Sequence, residues 1–525
     1  MHRPPSVEAD LAEELAVARP ALGPRFAAAL PGARAAVLTR LWRALAHEPL
    51  PFVAGRAGCG PRGREGLSLR LRDGRRLLGP PADPYTTAPG VTEVRLDGTA
   101  YDDPARLLAE LAVPHAAGFA AELGHSVASL ALSRAGQDPD DSLPTDPKEW
   151  PAQDWEWEQR VVDGHPYHPN CRARPGFSVA EQLAYGPEHR PSVRLGLLPA
   201  PAADCLVSGV WPEHLRDGAR LLIPVHPWQA AHVLGRGGPQ GVAAHVLGAS
   251  GPGGLPAHPL MSLRTLALDD GLHVKTALST RLTSSVRDIS IGSVAASAAL
   301  SAFAETLTPY AHGLLHMTRT LGAVTARSPD LAAVLRESPR EYGGPGEHVV
   351  PVAALAGTEL PRDSAWLVRL ARLGLTVGLR MLELGVALEA HGQNLLVVLS
   401  PSGEPLRLVY RDLADIRVSP ARLARHGVPL PDGLPARIVT DDVTVLRRKL
   451  FGSLVAGALA GTAGGGRALG AALESAAPDL PRTPDLVALC EEPLPAKALT
   501  LMRLSPGTPG DQWAELPNPL RWQAD

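Results

Sequence analysis

The sequence predicts an α+β fold in which mostly helical segments flank a β-rich middle. Three observations carry this. Apolar residues recur at helical spacing in ADLAEELAVARPAL, in ARLLAELAVPHAAGFAAELGHSVASLALSRAG and again in AWLVRLARLGLTVGLRMLELGVALEAHG. Strand-like runs (LLIPVHP, PLMSLRTLAL, LHVKTALS) cluster between Gly164 and Ser290. Two breaks rich in Pro, Gly and acids, GQDPDDSLPTDPKEWPAQDW from Gly136 and PREYGGPGEHVVP from Pro339, separate these regions. The expected units are therefore a helical 1–160, a β-rich 161–330, and a 331–525 unit made of a hairpin and helices.

In the first unit, VTEVRLDG is the one strand-like interruption. In the second, a long helical stretch follows the strands, from Val286 to about Gly322. In the third, the last hundred residues read as helical, broken by the Gly-rich GTAGGG.

A chain of 525 residues, 45% hydrophobic and 20% charged, can bury more than one core. Its formal net charge of -3 argues against a general nucleic-acid binder, whose footprint is basic. Pro and acids occupy the first residues where a signal peptide would need an apolar run, and no stretch reads as a membrane span. A cytoplasmic protein is expected. None of the four cysteines forms a C-x-x-C pair, so they read as reduced thiols. Only four of the 51 basic residues are lysine: Lys148, Lys275, Lys449 and Lys497. In so Arg-biased a chain, a surviving lysine marks a candidate site for a compact ammonium.

HGQNLLVVLSPSGEPLRLVYRDLAD (His391–Asp415) is a hairpin with its turn near Gly403. Antiparallel pairing brings Asn394 and Asp412 together at the open end, an amide and a carboxylate suited to Mg²⁺. Protein kinases hold Mg-ATP with a comparable Asn and Asp. Glu389 and His391 lie at the same end. The second hairpin turns at Asp270-Gly271. It should set Arg264 opposite Ala277 and place Ser262, Arg264, Lys275 and Ser279 on one face, either an anion platform or a solvated surface. Ser285 and Asp288 fit a capping box, so a helix should begin there. Arg287 in its first turn opposes the dipole unless an anion is near, and a carboxylate would supply one.

GHPYHPNCRARPGF and LLIPVHPWQ place His165, His168 and His226 in stiff Pro-bounded loops. Their spacing does not fit a helical zinc pair. A loop reading phosphate and carboxylate, with Arg172 and Arg174 close by, suits them better; His165 and His226 could also be purely structural.

Taken in order, GHPYHPNCRARPGF, IPVHPWQ, SLRTL, HVKTALSTRLTSSVR, EAHGQNLL, YRDL, PAKALTLMRL and the closing NPL resemble the siderophore synthetases that work without a peptide-synthetase line, the aerobactin-synthetase-like family. The resemblance implies a cupped hand with a helical thumb, β-rich fingers and a largely helical palm. It implies that Mg-ATP adenylates a carboxylate, often citrate, before an amine, hydroxylamine or alcohol attacks. Ser262, Arg264, Lys275, His391 and Asn394 would hold ATP, with Asn394 and Asp412 at Mg²⁺. His168, Thr283, Arg287 and Lys497 would hold the carboxylate, and Arg287, His391 and Lys497 would act in catalysis. A homodimer is implied as well. Arg172 and Asp163 stand where the family usually has Lys and Glu. A kinase-like phosphotransferase, a non-catalytic iron-handling protein and a zinc hydrolase are competing expectations.

Overall fold

The computed structural model describes residues 6–59, 65–138, 140–234, 254–283 and 285–521. Pro139, in the first Pro- and Asp-rich break, and Ser284, within the TSSVR run, lie outside these. Near the N-terminus, the helices Val7–Ala18, Gly23–His47, Pro104–Leu111 and Ala116–Ala135 pack around Leu15, Leu38, Trp42, Phe119 and Leu123. The Gly23–His47 helix is buried on every side from Ala35 to Ala46, including Arg40 and Arg43. A helix apolar all round belongs in a core; two arginines in such a stretch need a reason.

This region holds more strand than expected. Val53–Cys59, Gly66–Leu71, Arg76–Gly79, Val94–Leu96 and Thr99–Tyr101 form a five-stranded antiparallel meander. The signal was in the sequence: LSLRLRDGRRLL alternates at period two about an Asp-Gly turn.

The middle of the chain builds a nine-stranded sheet. Its order is 206–209, 320–325, 332–337, 272–276, 265–268, 255–259, 193–201, 220–225 and 216–217, all antiparallel. Leu195, Ile223, Leu266, Val274 and Leu335 fill one face.

The expected helix at Ser285 is not there. Ser285–Arg287 is a strand that pairs with Leu278–Leu282. The helix runs from Ile291 to Leu307, and the Ser290 hydroxyl accepts from the Ser293 amide at 3.1 Å. Two cap signals lay five residues apart, and strand pairing settled which one was used. Strands Leu315–Met317 and Thr320–Thr325 replace the rest of the expected helix. By length and composition, Ile291–Ala311 is the one described helical stretch that could cross a membrane. Its Leu300, Phe303, Ala304 and Leu307 instead pack into the largest core of the protein.

That core surrounds a four-stranded sheet ordered 315–317, 405–410, 395–399 and 348–351, backed by the Ser364–Leu384 helix. Near the C-terminus, Ala498, Leu501, Leu504 and Ala514 leave it and pack among the N-terminal helices. Chain ends distant in sequence thus share one core, beside the site.

Candidate active site

Ser262, Arg264, Lys275, Thr283, Arg287, His391, Asn394, Asp412, Lys497 and His168 all line one cleft of about 1010 Å³. Five different stretches of chain supply them, so the cleft is a product of tertiary folding.

Both hairpins form, each one residue out of the expected register. Leu395 pairs with Tyr410, which sets Asn394 opposite Arg411 and Asp412 one step beyond. Asp412 adopts a left-handed backbone, φ +70°. Its carboxylate accepts from Lys275 Nζ at 2.7 Å and from Arg336 Nη2 at 2.9 Å. Burial alone would raise its pKa, but Arg336 and Lys275 outweigh burial and hold it well below the usual range. Burial draws the Lys275 ammonium down to about 7; Asp412 opposes this, and Arg336 and Arg264 add to it.

In the other hairpin Thr265 pairs with Lys275, and Asp269 to Gly271 form a three-residue loop. Gly271 takes φ +81°, which suits a residue without Cβ. Arg264 therefore does not share a strand face with Lys275. It reaches the cleft from a loop and donates to the Arg287 and Asp288 carbonyls at 2.6 and 2.7 Å. Ser279 is not part of the cleft: its amide donates to Gln229 Oε1 at 2.8 Å and its hydroxyl to Asp330.

Thr283 joins the strands 278–282 and 285–287 at φ +58°, a costly conformation for a β-branched residue. Arg287 has no carboxylate within ion-pair distance among the described residues. Burial lowers its pKa, partly offset by Asp412, Glu389 and Asp415.

On another wall, Glu389 Oε1 accepts from Lys449 Nζ at 2.9 Å and Lys497 Nζ at 3.0 Å. Lys497 also reaches Asp511 at 3.2 Å. Burial would raise Glu389, yet Lys497 and Lys449 hold it at about 2. Three of the four lysines thus line the cleft, while Lys148 is exposed. Lys449 and Arg336 were not expected there; the lysine scarcity pointed to the first, and nothing in its local sequence marks the second.

The His-Pro loop starts at Gly164, φ +69°, where a Cβ would lie 2.5 Å from the Cys171 carbonyl. His165, His168 and His391 line the cleft, and each Nδ1 accepts a backbone N–H: from Tyr167 at 3.1 Å, Asn170 at 2.9 Å and Gln393 at 3.3 Å. Burial lowers all three pKa values, His168 to about 3. Each ring is therefore neutral with its proton on Nε2, an N–H donor without charge. His168 Nε2 is buried without a partner.

Arg172 and Arg174 lie close by, as expected, and line the cleft, with their guanidinium groups engaged within the protein. Arg172 donates to the Val162 carbonyl at 2.7 Å and to that of Val161, and Arg174 grips Glu188 with bonds of 2.7 and 2.8 Å. The bidentate Arg174 grip suits a guanidinium. Asp163 accepts from Arg134 at 2.9 Å. His226 lies outside the cleft and caps the Trp228 amide at 3.1 Å.

Among the described residues, no group of three or more His, Cys, Asp and Glu could hold a metal alone. Mg²⁺ asks for less, because it keeps waters and phosphate oxygens and needs only one or two protein oxygens. The Asp412 carboxylate and the buried Asn394 amide, which makes no side-chain hydrogen bond among the described residues, fit an ion that arrives with phosphate.

Residues 154–357 match the model of the IucA / IucC family, and 364–509 that of the ferric iron reductase FhuF-like transporters. A citryl-spermidine/3,4-dihydroxybenzoyl-citryl-spermidine:spermidine ligase of Bacillus anthracis is 27% identical over 313 residues, 49% of this chain and 50% of the relative. Staphyloferrin A synthase of Staphylococcus aureus is 25% identical over 309 residues, 50% of this chain and 52% of its own. The match thus spans about half the length of these relatives. The fold extends further. The petrobactin biosynthesis protein AsbB of Bacillus anthracis superposes with TM-score 0.75 at 19% identity, over 95% of this chain and 98% of its own. ATP-bound aerobactin synthetase IucA of Klebsiella pneumoniae gives 0.70 at 18%, over 93% and 99%. Residues 154–357 are thus similar to the IucA / IucC family, and the fold is shared with these solved structures along nearly the whole chain.

Proposed function

We propose that this protein is an ATP-dependent siderophore synthetase. It adenylates a carboxylate, citrate or a citrate derivative, and condenses it with an amine, hydroxylamine or alcohol. One observation carries the reading: Asp412 with Lys275, and Arg287 with Lys497, line the same cleft. A phosphate-binding set and a carboxylate-binding set in one cavity suit transfer of a carboxylate onto a nucleotide.

A carboxylate oxygen would attack the α-phosphorus as the bond to pyrophosphate breaks. The acceptor nitrogen or oxygen then attacks the acyl carbon, AMP leaves and the acceptor gives up a proton. Ser262, Arg264, Lys275, His391 and Asn394 would hold the nucleotide. His168, Thr283, Arg287 and Lys497 would hold the acid. Mg²⁺, held by Asn394 and Asp412, would neutralise phosphate charge. Fixed cations and neutral Nε2–H donors stabilise the charge gathering on the α-phosphate without reorganising during the step. Arg287, His391 and Lys497 are assigned to that task. Glu389, held as a carboxylate between two lysines, is a poor base and instead positions Lys497. We also propose a cytoplasmic homodimer whose residues 1–160, 161–330 and 331–525 act as thumb, fingers and palm of a cupped hand.

The deciding assay incubates the protein with Mg-ATP, citrate and hydroxylamine and identifies the nucleotide released. AMP with pyrophosphate is expected. ADP would instead mean a phosphotransferase, and no turnover across a panel of acids would remove the catalytic reading. Lys497→Ala should lower the rate by roughly a hundredfold, as loss of one preorganised charge contact does, while circular dichroism stays unchanged.

A further inference from the structure

We propose that Arg40, on the N-terminal Gly23–His47 helix, is a specificity-determining residue that seats a second carboxylate of the acyl substrate together with His168. This rests on the carboxylate-activating reading above.

Arg40 lies outside both stretches that match the family models. It lines the cleft with only 7% of its surface exposed. Its Nε donates to the Pro166 carbonyl at 3.0 Å and its Nη2 to the Asp163 carbonyl at 3.3 Å. Its Nη1 is buried without a partner. No carboxylate comes within ion-pair distance of it among the described residues. The Asp163 carboxylate, close enough to feel its charge, is already bonded to Arg134. Three residues along the same helix, Arg43 also lines the cleft. It donates to the Pro84 carbonyl and lies 4.4 Å over the Tyr167 ring, again with no carboxylate in ion-pair range. Behind the loop, Arg172 and Arg174 share the single carboxylate of Glu188.

A buried guanidinium without a counter-anion is costly, and evolution keeps one only where something repays the desolvation. The position of Arg40 says what that is. The carbonyls it holds belong to the loop that carries His168, whose Nε2–H is likewise a buried donor without a partner. Arg503, Arg287 and Arg40 all act electrostatically on His168, and of these Arg503 is already paired with Glu122. A carboxylate between Arg40 and His168 would answer the orphaned charge and the orphaned neutral donor at once. Arg287 and Lys497 come from other elements and remain for the reacting carboxylate. A monocarboxylic acid would leave the Arg40 subsite empty.

The test is calorimetric binding to the full chain without nucleotide turnover. It compares glutarate with glutaramate, its monoamide, and uses tricarballylate as a third acid. Wild type should prefer each polyacid to glutaramate by at least about tenfold, the usual scale of a charge-assisted contact. Arg40→Gln should cut that preference to within about twofold, and Arg40→Lys should restore part of it. Equal weakening of all three acids would mean that Arg40 only props the loop, and no change would mean that the gap holds water; either result overturns the proposal. So would a wild type that does not distinguish glutarate from glutaramate. If Arg40→Gln does not fold, Arg40→Lys decides: a preference unchanged from wild type counts against the subsite. The adenylation reading stands or falls separately, on the nucleotide released in the AMP assay.

Discussion

At the residue scale, Lys275 combines burial, an ion pair and two neighbouring arginines. Its ammonium titrates at about 7 in the folded chain against an ordinary 10.5. It is therefore charged below that pH and loses its proton as pH rises through it. The free enzyme sets the pH profile of kcat/KM. With ATP varied, kcat/KM should fall on the alkaline side from about pH 7. Lys275→Arg keeps its charge and should move that limb up by several units at a lower plateau. An alkaline limb unmoved in the variant would assign it to another group. This residue was legible from composition: in an Arg-biased chain, Lys275, Lys449 and Lys497 all proved to line the cleft. Arg40 and Arg336 were not legible, since one arginine among 47 carries no mark of its own.

At the element scale, both hairpins were readable from alternation and turn residues, but register was not. A Gly in the left-handed region adds a third residue to the Asp-Gly loop, and an irregularity at Val398/Leu399 shifts the other ladder. A one-residue slip reverses which side chains share a face. Arg264 nevertheless reaches the cleft, because it sits past the strand end where pleat no longer governs direction. The same scale explains Thr283. A β-branched residue at φ +58° costs roughly 1 kcal/mol or more, a cost tolerated where it aims a hydroxyl. Thr283→Gly should leave stability to urea equal or higher by about 1 kcal/mol while raising KM for the acid. Lower stability with unchanged KM would show that the turn serves folding alone.

At the scale of the whole molecule, buried ion pairs join the layers around the cleft. Arg411, at the end of the 405–410 strand, donates to Glu158 Oε1 at 2.5 Å, and Glu158 Oε2 accepts from the Met261 amide at 2.9 Å. One carboxylate thereby ties the hairpin of strands 395–399 and 405–410, the Asp154–Gln159 helix and the loop of Ser262 and Arg264. Removing one partner of a buried pair leaves the other uncompensated, typically a loss of about 3 to 5 kcal/mol. Arg411→Met should destabilise by that order in chemical denaturation, and Arg411→Met with Glu158→Leu should recover part of it. Full additivity of the two losses would show that the pair is not coupled.

The sequence by itself determined the α+β class, the two hairpins and the His-Pro loops, while the full set of ten cleft residues was named through the family resemblance. The class, hairpins and loops are written in local chemistry, in periodicity and turn residues. It did not determine where the helix after Ser285 begins, which arginines are free to meet a ligand, or that an N-terminal helix reaches the site. Those depend on which partner each group finds in three dimensions. Arg172 and Arg174 found main-chain carbonyls and Glu188, whereas Arg40 and Arg287 found no carboxylate among the described residues. Local sequence does not encode which charged groups will find a counter-charge once the chain is folded, even for neighbours such as Arg174 and Glu188, and only the tertiary structure decided it.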